Sequence, residues 1–143
     1  MYQALVVVAD SGRARFFALV NKGTPMVELA DYVHTESRLR ANELFSDRQG
    51  RTFDSKGYGR HAKENRNPIK VQQAMKFARQ ISAGIEAERK KNKFSKLLLV
   101  AAPGFLGLLR KALGRESGKL VTRQIDKDLV LMEEDVIRKH LDI

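Results

Sequence analysis

The sequence contains no cysteine, which excludes disulfides and thiolate metal ligands but does not distinguish one compartment from another. It also lacks any long apolar run. Leu97–Ala102 reaches only six residues, far short of the roughly 18 that a membrane-spanning helix needs, so no transmembrane segment is expected. The opening residues, Met1-Tyr2-Gln3-Ala4-Leu5, lack the basic start and small-residue cleavage site of a secretory signal. The expected location is the cytoplasm. No G-x-x-x-x-G-K-[ST] phosphate loop and no G-x-S-x-G nucleophile turn occurs, and no pair among His34, His61 and His140 has zinc-motif spacing. No metal or cofactor is expected.

The 143 residues, 43% of them hydrophobic, suit a single domain over 1–143 with a real core. Acidic residues are scarce where basic ones are dense. The formal charge is +10, and residues 34–119 hold 20 Lys and Arg against 8 Asp and Glu, so this middle carries +12 and the flanks −2. Such asymmetry points to a polyanionic partner, RNA first and an anionic surface second.

Leu5–Ala9 is a continuous apolar run suited to a strand buried on both faces. Asp10-Ser11-Gly12 is turn chemistry, Arg13–Val20 reads as a second strand, and Met26–Val33 as a third after Asn21–Pro25. A long insert, 34–67, follows. Asn67-Pro68 starts a helix, with Val71, Ala74, Met75, Ala78, Ile81 and Ile85 expected on its packed face and Lys70, Gln73, Lys76, Arg79 and Gln80 on the other. Leu97–Ala101 is a fourth strand, Pro103-Gly104 turns into a short helix that Gly114 ends, Leu120–Ile125 is the last strand, and Glu133-Glu134-Asp135 opens a closing helix. The expectation is an α/β, three-layer, ribonuclease-H-like fold. Its mixed five-stranded sheet has order 3-2-1-4-5 and β-β-β-α-β-α-β-α topology, with a long loop between strand 3 and helix 1.

An aperiodic insert of this length in a compact domain is usually functional or disordered. From Arg38 to Arg66 it holds eight basic residues, with Gly50, Gly57 and Gly59 among them; five nearby acids cut its own excess to +3. Much of the charge therefore lies on the helix that follows, and insert and helix form one candidate surface. Glycines let backbone approach a ligand, arginines offer forked donors to phosphate, and Tyr58, Phe45 and Phe53 either stack on a ligand or pin the insert to the body. The candidate nucleic-acid-binding residues are Arg48, Arg51, Gly57, Gly59, Arg60, His61, Lys63, Lys70, Lys76 and Arg79. A two-metal nuclease needs converging carboxylates. Asp10 ends the first strand, but Glu86 and Glu88 lie near the far end of the helix, with Asp126 and Asp128 as distant partners. Asp10 reads better as a turn residue, and no catalytic residue is assigned.

Val8-Ala9-Asp10-Ser11-Gly12-Arg13-Ala14-Arg15, Glu43-Leu44, Ser46-Asp47-Arg48, Gly50-Arg51, Phe53-Asp54-Ser55 and Gly59-Arg60-His61-Ala62 together resemble the bacterial host attachment protein family. Phe77-Ala78-Arg79, Phe105-Leu106-Gly107 and Ile125-Asp126-Lys127-Asp128-Leu129 extend the resemblance along nearly the whole chain. It implies a role in attachment of bacteria to host cells. The family is also distantly similar to the middle domain of archaeal and eukaryotic peptide-chain release factors, in which a glycine-rich loop precedes a long basic helix and ends in Gly-Gly-Gln. This chain has no Gly-Gly-Gln; Gly57-Tyr58-Gly59-Arg60-His61 stands in the corresponding place. The resemblance implies ribosome or tRNA binding and puts peptidyl-tRNA hydrolysis in doubt. Three functions are thus set against one another: RNA binding, a direct or indirect role at an anionic host surface, and hydrolysis.

Overall fold

The computed structural model describes residues 2–34, 68–91 and 93–143. Five strands, β1 (Ala4–Ala9), β2 (Arg13–Leu19), β3 (Val27–Val33), β4 (Leu97–Ala101) and β5 (Val121–Asp126), form one open sheet in the order β3-β2-β1-β4-β5. β1 pairs antiparallel with β2 and parallel with β4; β2–β3 is antiparallel and β4–β5 parallel. This is the expected mixed sheet, with the strand pattern of ribonuclease-H-like folds. All six residues of β1 and all five of β4 are buried, as continuous apolar strands covered on both faces must be.

The helices among the described residues are α1 (Pro68–Lys90), α2 (Pro103–Ala112), α3 (Arg115–Lys119) and α4 (Glu134–Leu141). α1 and α2 cover one face, where Phe77, Ile81, Ile85, Phe105 and Leu109 pack on Leu5, Val7, Phe16, Leu97 and Leu99. On the other face α4 and the segment before it bring Leu129, Val130, Ile137 and Leu141 onto Val6, Val8, Phe17 and Val100. Because successive side chains of a strand point to opposite faces, β1, β2 and β4 each supply both cores.

The expected order of elements holds, with α3 added as one short helix between α2 and β5. α2 ends at Leu113, which turns extended immediately before Gly114, and Gly114, at φ −71°, caps the start of α3. The packed face of α1 is corrected. Ala74, Phe77, Ala78, Ile81 and Ile85 are buried, whereas Val71 and Met75 are only half-buried. Gly84 lies on this helix because a Cβ there would come within 3.0 Å of the Tyr32 hydroxyl and 3.2 Å of the Phe16 ring. The close approach offsets the roughly 1 kcal/mol that glycine costs inside a helix.

Candidate functional site

The register decides where the insert joins the sheet. Pairing of Ala9 with Ala14 and of Arg13 with Val33 brings the end of β3 to the C-terminal end of β1, and pairing of Leu5 with Leu97 brings the start of β4 to the opposite edge. The connection from β3 to β4 must therefore cross the sheet, and α1 does so. At 23 residues α1 is about 34 Å long, against about 20 Å for a six-residue strand. Its buried positions run only from Ala74 to Ile85, while Pro68, Ile69 and Lys70 are exposed. The first turns thus overhang the C-terminal edge of the parallel strands.

At that edge the chain is held by an aromatic stack. His34, buried after β3, donates its backbone N–H to the Gly12 carbonyl at 2.9 Å, and its ring lies parallel to Phe77 with centroids 4.8 Å apart and planes 2° apart. Phe77 in turn meets Phe105 at 6.1 Å. The Gly12 turn is itself fixed by Asp10, whose Oδ1 accepts from the backbone N–H groups of Gly12 and Arg13, both at 2.8 Å. Asp10 is the turn residue its sequence position suggested. Among the described residues no three His, Asp or Glu side chains gather as metal ligands. His140 is exposed on α4, with Nδ1 3.5 Å from the Lys127 ammonium.

Of the ten candidate binding residues, Lys70, Lys76 and Arg79 are exposed on α1. Arg48, Arg51, Gly57, Gly59, Arg60, His61 and Lys63 lie outside the described residues. From Pro68 to Ile85 the helix contains no acid. A cation in the first turn of a helix opposes the macrodipole by about 0.3–1 kcal/mol, so Lys70 stands where helix stability argues against it. The cations at the other end have local partners. Arg89 forms a paired hydrogen bond with Glu86, Lys91 lies 3.8 Å from Glu88, and the Ser117 hydroxyl donates to Glu86 at 2.7 Å. The C-terminal basic cluster is accordingly structural at Arg89 and Lys91, whereas Lys70, Lys76 and Arg79 add exposed positive charge to the acid-free part of the helix.

The Glu86 cluster has a pH signature. Hydrogen bonds from Arg89 and then Ser117 hold the Glu86 carboxyl at about 2, below its ordinary 4.5. A carboxylate lowered on folding contributes stability that is complete above its unfolded value and is lost as pH falls through the folded one. Acidification from about pH 5 to pH 2 is therefore expected to loosen α3 from α1, read as amide exchange over 115–119 that is faster relative to the intrinsic rate at each pH. Glu86→Gln should make that exchange fast at pH 5 as well, and protection that ignores both changes would show that another interaction holds α3.

A family model described as "Protein required for attachment to host cells" matches residues 5–141. The chain belongs to this family. The host-attachment match begins in β1 and ends in α4, so it takes in all five strands, the insert and the four described helices. No match was found among curated proteins. No helix among the described residues is long and apolar enough to cross a membrane.

Phe77 is the residue of this region that sequence periodicity passed over. Its signal was present: it lies three residues after Ala74 and four before Ile81, the spacing of one helical face. The role of His34 had no comparable signal, because its stack depends on where β3 ends against α1.

Proposed function

We propose that this host-attachment family member is a cytoplasmic RNA-binding protein, associated with the ribosome or with tRNA, acting as one domain over residues 1–143. The observation that carries the reading is the acid-free run from Pro68 to Ile85, with Lys70 in a turn that disfavours cations. Lys70, Lys76 and Arg79 would bind phosphates, joined by Arg48, Arg51, Arg60, His61 and Lys63 of the insert, with Gly57 and Gly59 letting the backbone come close. Resemblance to release-factor middle domains, where a glycine-rich loop also precedes a basic helix, supports the same partner. Peptide release is not part of the proposal, since the chain lacks Gly-Gly-Gln.

The family description favours a second reading, in which the same basic surface meets an anionic host surface or acts indirectly on adhesion. Crosslinking and sequencing of bound RNA in cells, with fractionation of the same culture, separates the two. RNA binding predicts enrichment of ribosomal or transfer RNA that disappears when Arg48, Arg51 and Arg60 are replaced by Ala. An extracellular pool without RNA enrichment would overturn it in favour of the surface role.

A further inference from the structure

On the sheet face opposite α1, Leu131 is 77% exposed and Met132 beside it is also exposed. This apolar tip is rigidly built. The Met132 N–H donates to the Leu129 carbonyl at 3.0 Å, closing a turn, and the two residues before the tip, Leu129 and Val130, are buried. One guanidinium then holds both flanking carbonyls: Arg15 Nη1 donates to Val130 at 2.9 Å and to Met132 at 2.8 Å. Arg15 is itself fixed by Glu28 at 3.0 Å and by the Phe17 ring at 4.9 Å. A leucine carried outward on a pre-organised turn has the form of an interface anchor, because little order remains to be lost on binding. Asp128, Glu133 and Asp135 are exposed around it, a local negative charge on a strongly positive chain.

The complementary surface exists on the same molecule. On the outer side of α1, Lys76, Arg79, Ala83, Ala87 and Lys90 recur at three- and four-residue intervals, and all are exposed. The two alanines present short apolar side chains between cations, where the tip presents an apolar knob between acids. We propose that the Leu131–Met132 turn docks on the outer face of α1 of a second copy of this chain. The two surfaces lie on opposite faces of one sheet, so the interface is heterologous and copies add head to tail, into a ring where the rotation closes and a filament where it does not. This association stands independently of the nucleic-acid reading, but because both use Lys76 and Arg79, a bound polyanion would displace the second copy.

Sedimentation of nuclease-treated, full-length protein tests it. Average mass should rise with concentration past that of a dimer, and raising salt from about 0.05 to about 0.5 M should reverse the rise as the screening length shortens. Asp128→Lys with Glu133→Lys, and separately Lys76→Glu with Arg79→Glu, should each weaken association about tenfold or more; mixing the two variants should restore it. Leu131→Ser, at a position too exposed to affect folding, should weaken it while leaving the circular dichroism unchanged. The acid-to-lysine variant should retain RNA binding, which separates self-association from the RNA reading. A monomer at every concentration, a closed dimer indifferent to the reversals, or a mixture that does not re-associate would overturn the proposal.

Discussion

Replacing Lys70, Lys76 and Arg79 together by alanine is expected to weaken binding to tRNA and to an RNA duplex about a hundredfold or more at 0.1 M salt, with little change in base preference. Each cation bound to a phosphate releases condensed counterions. The slope of log affinity against log salt falls by about 0.9 for each such cation removed on a duplex and about 0.7 on a single strand. Removing three should therefore flatten the slope by between about 2 and about 3. The effect should be similar for unrelated sequences, because phosphate binding positions a ligand without reading its bases. All three side chains are exposed, so the variant should fold. Lys139→Ala supplies the control, an exposed cation on α4 across the sheet whose removal should leave affinity within about threefold. An unchanged slope in the triple variant would remove α1 from the interface.

What the sequence disclosed follows from how local each signal is. β1 and β4 are unbroken apolar runs, and only a central position buried on both faces suits such strands. With short turns joining the first three strands and helical segments joining the rest, that constraint gives the order 3-2-1-4-5. Pro68 marks the start of α1 because proline fits a first helical turn at no cost in hydrogen bonds. Elsewhere the deciding interactions are between residues far apart in sequence. α3 contains a glycine in a single turn and has little helix propensity of its own; the bond from Ser117 to Glu86, 31 residues away, ties it to α1. The Arg15–Glu28 pair depends on a register shift between Phe16 and Phe17 that no alternation pattern reveals. In the candidate site, the cationic face of α1 was legible because charge can be counted along a helix. The stack beneath it was not, since it requires knowing which edge of the sheet β3 and α1 share.

Phe77→Ala is expected to be the most damaging single change in this region, costing about 3–5 kcal/mol, a large part of the stability of an ordinary domain. Phe77 is fully buried, and its ring is shared by His34 and Phe105, so truncation opens a cavity on the face where α1 and α2 meet the sheet. Phe77→Leu separates volume from stacking. It keeps most of the apolar bulk and should cost less than about 2 kcal/mol, with aromatic pairing contributing about 0.5–1.5 of that. In the wild type the His34 ring protons should show the shielding of a ring stacked over a phenylalanine, and Phe77→Leu should abolish it while the strand signals remain. Because His34 directly follows β3 at the start of the insert and Lys70 lies on the same helix seven residues before Phe77, the stack couples the base of the insert to the basic helix. Under conditions where Phe77→Leu is fully folded, RNA affinity should therefore fall by about threefold to tenfold with the salt slope unchanged, since orientation suffers while every phosphate-binding cation is still present. A Phe77→Leu protein that binds RNA as tightly as the wild type would show that the stack stabilises the fold without positioning the interface.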